Sequence, residues 1–288
     1  MHINWYPGHM KKTKELIKEN LKLVDVVIEL LDARIPLSSR NPQIDEILGN
    51  KPRVIVLNKS DLADPSITNQ WIKFFVSENI AAVPVNAMNG DGLDKLIHEI
   101  HNSTKEKINK LLEKGIKTRP IRAMIVGIPN VGKSSIINKL TGKKSAKTGD
   151  KPGVTKGKQW VRLRGNIELL DTPGILWPKF EDQQIGFKLA FTGSIKDEIL
   201  DIETIALKLI EFLSTYYPVS LMERYKLDSI EEEPLTNMEN IGKSRGCILS
   251  GGRIDYLRIS NIVLDEFRSG KLGFISIEKP NDENSTIE

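Results

Sequence analysis

Along the first 170 residues, apolar and β-branched positions gather in short blocks separated by stretches with helical spacing. Residues 24–31, 54–57, 81–85 and 121–126 are continuous enough to be strands covered on both faces, as in a parallel sheet. Two further strands are predicted at 159–163 and 167–170. Between the blocks, 14–23, 68–78, 92–112 and 135–140 have the spacing of helices, and the last stops near Gly142. Strands alternating with helices, with polar motifs at the strand ends, predict a doubly wound, mainly parallel α/β sheet. After Pro178 the strand signal nearly vanishes. Residues 201–217, 220–225 and 255–268 read as helices, and one apolar run, 272–277, follows them. The chain is therefore expected to divide near 178–184 into an α/β domain, 1–178, and a mostly helical domain, 179–280. The polar residues 281–288 read as a disordered tail.

The block 121–126 runs into Gly127-Ile128-Pro129-Asn130-Val131-Gly132-Lys133-Ser134, which fits G-x-x-x-x-G-K-[ST]. A strand, a glycine-bearing loop and a helix make a phosphate cradle. Backbone N–H groups point at the anion, and the helix N-terminus adds about half a positive charge. Asn130, Val131, Gly132 and Ser135 would line the cradle, Lys133 would reach the β- and γ-phosphates, and Ser134 would hold Mg²⁺. This is a site for a nucleoside triphosphate.

Other strand ends sharpen the picture. Strand 167–170 runs into Asp171-Thr172-Pro173-Gly174, where an aspartate can support Mg²⁺ and Gly174 can offer its N–H to the γ-phosphate. Strand 54–57 runs into Asn58-Lys59-Ser60-Asp61. A carboxylate at Asp61 can accept from N1–H and the exocyclic amine of guanine, which adenine cannot match. In isolation such residues would also suit a plain turn. Asn86-Ala87-Met88 ends strand 81–85, and the Ala87 N–H is a candidate donor to the guanine oxygen. GTP is the expected nucleotide.

Composition narrows the setting. The 288 residues are 39% apolar and 28% charged, ordinary for a soluble globular protein. No stretch approaches the roughly 20 apolar residues of a membrane span, and 1–5 lack a signal-peptide pattern. A single cysteine, Cys247, permits no internal disulfide, fits a reducing cytoplasm, and reads as structural for want of an activating base. The net charge of +4 hides an asymmetry: residues 1–184 hold 30 Lys and Arg against 20 Asp and Glu, while 185–288 hold 12 against 18. Residues 139–164 alone carry nine basic side chains and one acid, Asp150. Such one-sign density beside a nucleotide site favours a polyanionic partner over a merely solvated face. The histidines, His2, His9, His98 and His101, show no partnered cysteine and no metal spacing, which disfavours chemistry on RNA.

The order of the motifs is unusual. Asn58 lies 69 residues before Gly127, whereas ordinary GTPases place the guanine motif after DxxG. Three further stretches accompany that order: Trp5-Tyr6-Pro7-Gly8-His9-Met10, Asp32-Ala33-Arg34-Ile35-Pro36 and Gly270-Lys271-Leu272-Gly273. With them, the whole chain resembles the circularly permuted GTPases, in particular the bacterial assembly GTPases of the large ribosomal subunit. The resemblance implies a permuted G domain followed by a helical RNA-binding domain. It also implies action on the 50S precursor and its rRNA. The expected setting is the cytoplasm, with no membrane contact, and the expected state is a monomer. Asn86 and Met88 depart from the usual Ser-Ala-Lys pattern of that family.

The same resemblance places Thr155 with Ser134 and Asp171 on Mg²⁺ and in contact with the nucleotide. It likens Asn130 to the asparagine that helps hold K⁺ in potassium-stimulated GTPases. Ile175 and Leu176 follow Gly174, where other GTPases carry a water-orienting glutamine. Unaided hydrolysis is therefore expected to be slow and stimulated by the ribosomal particle; a docking module with negligible turnover is the rival. His9, with an ordinary pKa near ~6.5, is the candidate to position or activate water, and packing or RNA contact is its alternative role. RNA contacts are expected from Lys143, Lys144 and Lys147, and from a second cluster of Lys243, Arg245, Arg253 and Arg258. On helix 255–268, Leu257, Ile262, Val263 and Phe267 are expected inward, with Arg258 and Arg268 outward. Residues 171–174 lie a few positions before the exit to the helical domain, so the nucleotide state is expected to bias that domain's position.

Overall fold

The computed structural model describes residues 10–115, 119–141, 160–170 and 183–280. The strands are β1 (Val26–Asp32), β2 (Arg53–Asn58), β3 (Ala81–Val85), β4 (Ile121–Gly127), β5 (Trp160–Leu163) and β6 (Ile167–Leu170). They form one sheet in the order β3-β2-β1-β4-β6-β5, parallel except for the antiparallel edge strand β5. Every residue of β1 is buried, as a central strand between two layers must be.

Alternation along the neighbouring strands sorts the two layers. Val54 and Val56 of β2 and Ala123 and Ile125 of β4 face α4 (Leu93–Glu113) and α5 (Lys133–Thr141). On the opposite face, Met124 and Val126 pack with α1 (Met10–Leu21) and α2 (Ile44–Leu48), and Ile55 and Leu57 pack with α3 (Pro65–Ser77). The chain fills the sheet outward from β1 through β2 to β3, then returns to the other side of β1 as β4. That reversal opens a crevice at the carboxyl ends of β1 and β4, where sheets of this kind hold ligands.

The rest is helical: α6 (Gln183–Phe191), α7 (Ile202–Tyr216), α8 (Pro218–Tyr225), α9 (Pro234–Ser244) and α10 (Tyr256–Arg268). Their apolar interior is continuous with the one beneath α4 and α5, so both parts share a core. Cys247 is wholly buried within it. Helices α2, α6 and α9 add to those read from the sequence. Residues 272–277 form neither helix nor sheet; Leu272, Ile275 and Ile277 plug the core while the backbone lies along the α/β layer. No helix among the described residues is long and apolar enough to cross a membrane.

The expectation for 255–268 fails at both ends. The buried stripe of α10 is Ile259, Val263, Leu264 and Phe267, and Leu257 falls beside it, 55% exposed. Arg268 turns inward. The carboxyl end of α6 leaves carbonyls without intrahelical donors, and Arg268 supplies them, donating to Phe191 O at 3.1 Å and Ala190 O at 2.8 Å. The same guanidinium grips both oxygens of Asp197 at 2.7 and 2.8 Å.

The foot of the sheet has its own electrostatic clamp. Asp25, just before β1, is 1% exposed and accepts from Arg119 at 2.7 and 2.9 Å and from the Arg122 N–H at 2.9 Å, with Lys107 at 2.7 Å. Burial alone would raise its carboxyl; the Arg119 and Lys107 charges override that and hold it at about 2. A depressed carboxylate contributes stability that is complete above its unfolded value and lost as pH falls through the folded one. Denaturant unfolding should therefore show about 2 kcal/mol of stability disappearing between about pH 4 and pH 2 through this group. Asp25→Asn should flatten that part of the profile and lower stability at pH 7.

Candidate nucleotide site

The crevice is lined by the loops that leave β4, β2 and β3. The phosphate loop leaves β4 at Gly127, where an added Cβ would lie 2.8 Å from Leu30 O, so the loop needs glycine to pass β1 this closely. Asn130 and Gly132 both take positive φ, +58° and +102°. At Gly132 a Cβ would sit 2.2 Å from Asn58 Nδ2. Lys133 opens α5 and folds its ammonium back over the loop, 3.3 Å from Gly127 O and 3.4 Å from Ile128 O. Val131 is buried, whereas Ser134 and Ser135 are partly exposed on the first turn of α5.

Asn58 is the hub. Only 2% exposed, it donates Nδ2 to Val131 O at 2.7 Å and accepts the Ala87 N–H on Oδ1 at 3.2 Å. One carboxamide thereby locks the phosphate loop and both guanine loops into a single arrangement. The Ala87 N–H, expected to face the guanine oxygen, is the one that Asn58 holds here. Asn86 builds the turn instead, accepting the Met88 and Asn89 N–H groups at 2.8 and 3.3 Å.

Lys59 also has positive φ, +59°, and its ammonium reaches the buried carboxylate of Asp32 at 3.0 Å. Arg34 grips the same carboxylate through Nε at 3.0 Å and Nη2 at 2.9 Å. Burial alone would raise the Asp32 carboxyl, but Arg34 and Lys59 hold it well below the carboxylate range. Asp61, two residues beyond Lys59, is exposed at the mouth of the loop. The sequence pattern singled out Asp32-Ala33-Arg34 without assigning it a task. An aspartate ending a fully buried, mostly apolar strand with arginine two residues on is the signal of a buried ion pair.

Asn130 is exposed, and its Nδ2 donates to Gly193 O at 3.0 Å, just beyond α6. The phosphate loop thus touches the helical part directly, a contact that local sequence could not reveal. Of the basic residues expected on the helical surface, Lys243, Arg253 and Arg258 are exposed. Arg245 is not free in that sense: it sits over the Tyr225 ring at 5.1 Å with Nη2 3.3 Å from Glu266. His9, Lys143, Lys144, Lys147, Thr155, Asp171, Gly174 and the tail 281–288 lie outside the described residues.

A sheet reversing at a phosphate loop, with a guanine motif supplied from earlier in the chain, has close relatives. A family model described as a 50S ribosome-binding GTPase matches residues 122–233. Ribosome biogenesis GTPase A of Bacillus cereus is 52% identical, covering 100% of this chain and 97% of that protein. The protein of the same name from Thermotoga maritima is 34% identical over 97% of this chain and 95% of its own length. The chain belongs to the ribosome biogenesis GTPase A family. A solved GDP-bound YlqF structure superposes with a TM-score of 0.70 at 29% identity, covering 93% of this chain and 100% of that one. GNP-bound YlqF from T. maritima gives 0.66, with 94% and 99% covered. The α/β part is accordingly a circularly permuted GTPase fold. The protein is a GTPase of ribosome biogenesis.

The hub makes a direct demand. Asn58→Ala would strand a buried carbonyl at Val131 and a buried N–H at Ala87, each costing about 1–3 kcal/mol. Titration with a fluorescent guanine nucleotide should show affinity falling at least tenfold. An unchanged affinity would mean the loops hold together without it.

Proposed function

We propose that this GTPase acts on the precursor of the large ribosomal subunit, in the cytoplasm and as a monomer, binding its rRNA when loaded with GTP and leaving after hydrolysis. The observation that carries the proposal is the bond from Asn130 to Gly193. It joins the loop that would cradle phosphates to the backbone beside Arg268, on the helix that also presents Arg258. A change at the nucleotide therefore has a short physical route to a basic surface. Lys243, Arg253 and Arg258, together with Lys143, Lys144 and Lys147, would contact phosphates. Recognition would rest mainly on RNA shape, since side chains cannot read the narrow A-form major groove.

In this reading Asp61 recognises the base and Lys133 steadies the β- and γ-phosphates. Mg²⁺ fits the donor set, because Ser134 sets a hard hydroxyl oxygen on the first turn of α5. Ser134, Thr155 and Asp171 would hold it, and the ion would neutralise charge on the phosphate oxygens. Asn130 spends its Nδ2 on Gly193 and has its Oδ1 to offer a K⁺ ion. Gly174 would bind the γ-phosphate and His9 would position water, with the ribosomal particle accelerating a slow intrinsic turnover.

Co-sedimentation with large and small subunits tests the partner. Binding to large-subunit particles should be stronger with a non-hydrolysable GTP analogue than with GDP. It should weaken with salt, by a slope of roughly 0.7 to 0.9 per phosphate contact. Equal binding to both subunits, or equal affinity with both nucleotides, would refute it. For the cation, replacing K⁺ by Na⁺ at constant ionic strength should slow hydrolysis about tenfold or more, as loss of a transition-state charge does. Asn130→Ala should abolish the difference between the two salts.

A further inference from the structure

Around Asp61 the guanine loop is tethered within the α/β layer by the Ser60 N–H to Val85 O at 3.2 Å and the Leu62 N–H to Lys59 O at 2.9 Å. Its far side is held by the end of the helical part. Leu62 O accepts the Ile275 N–H at 3.0 Å, and the Asp64 N–H donates to Ser276 Oγ at 3.1 Å. The Leu62 side chain rests on Gly270, where an added Cβ would lie 2.7 Å from Leu62 Cδ2. These contacts fall at Leu62 and Asp64, just after Asp61, and belong to residues more than 200 positions later in the chain.

The holding segment is itself firmly placed. The Tyr217 hydroxyl, at the end of α7, donates to Ser276 O at 2.8 Å and accepts the Ser276 N–H at 3.1 Å. Further along, Arg34 O accepts the Ile277 N–H at 2.9 Å, and Glu278 O accepts the Trp71 Nε1–H at 3.1 Å. The Glu278 carboxylate accepts the Leu37 and Ser38 N–H groups at 2.8 and 3.2 Å, bonds the Ser38 hydroxyl, and faces Lys188 at 3.4 Å. The segment therefore cannot slide without breaking contacts at both ends.

We propose that Ser276 and Tyr217 are positioning residues for base recognition. They fix the backbone just beyond Asp61, at Leu62 and Asp64, so that the helical part sets how sharply the site reads guanine. The inference rests on Asp61 being the base-reading carboxylate. Two parallel hydrogen bonds from one carboxylate tolerate little displacement, and a site held by its supporting residues loses selectivity before it loses its ligand. GDP offers Asp61 both N1–H and the exocyclic amine, whereas inosine diphosphate offers N1–H alone. Both carry the same phosphates.

The measurement is the ratio of GDP to inosine diphosphate affinity for the full chain, its Ser276→Ala and Tyr217→Phe variants, and Asp61→Asn. The ratio is taken on one preparation, so partial unfolding cancels. Ser276→Ala and Tyr217→Phe should each lower the ratio about three- to tenfold, the range of a single lost hydrogen bond, without creating affinity for xanthosine diphosphate. Asp61→Asn should gain that affinity. If Asp61→Asn keeps its guanine preference, the base-reading role itself falls. If Asp61→Asn switches while the Ser276 and Tyr217 variants keep the wild-type ratio, the positioning role falls, whatever happens to their absolute affinities.

Discussion

Asp32 lies fully buried at the carboxyl end of β1, and an isolated carboxylate there would cost several kcal/mol of desolvation. The molecule meets that demand with three groups. The Arg34 guanidinium and the Arg34 backbone N–H, the latter at 3.1 Å, come from the same strand end, and the Lys59 ammonium comes from the guanine loop after β2. Answering one charge thus fixes how the ends of β1 and β2 lie relative to each other. The guanidinium of Arg34 also stacks on the Phe267 ring of α10 at 5.1 Å, and its carbonyl accepts the backbone of 277–278. The ion pair that organises the edge of the nucleotide crevice is therefore a docking point for the helical part as well.

That double use explains why the two parts share one core. A linker-joined domain would be free to swing, with a polar seam between the units. Here Phe191, Leu209 and Phe267 belong to the same apolar cluster as Ile125 and Ile136. Polar anchors at Glu278 and Arg268 add direction to an otherwise undirected apolar contact. Removing either partner of such a buried pair leaves a charge without compensation, which costs more than the pair contributes.

The strands and the phosphate loop were legible in the sequence because their causes are local. A buried parallel strand needs a run of mostly apolar residues, and the phosphate loop is one contiguous motif, even though its glycines are also demanded from outside it, Gly127 by Leu30 and Gly132 by Asn58. Arg268 was misread for the opposite reason, and the ties of Arg245 were hidden for the same one. Their partners, Asp197 and Glu266, lie 71 and 21 residues away and are brought near only by packing. Ala87 belongs with them. Its N–H suits a ligand in a short motif, but the acceptor that takes it, Asn58, sits 29 residues earlier on another strand. The run 272–277 has the composition of a strand and the fate of a strap, since its hydrogen-bond partners are single residues of different elements rather than one neighbouring strand.

The permuted order gives these long-range contacts a mechanical meaning. The guanine loop is built early in the chain and the phosphate loop later, so no short covalent path joins them; Asn58 supplies the connection through space. The helical part then grips both ends of the crevice, through Gly193 at the phosphate loop and through Ser276 at the guanine loop. Packed cores shift between discrete arrangements rather than deforming smoothly. A body held at both ends can therefore follow the nucleotide only by releasing one grip while keeping the other. The Gly193 contact is one exposed hydrogen bond, whereas the Ser276 side is backed by Tyr217, Trp71, Arg34 and Glu278. The weaker grip lies on the phosphate side, where GTP and GDP differ, and the stronger one on the base side, where they are identical.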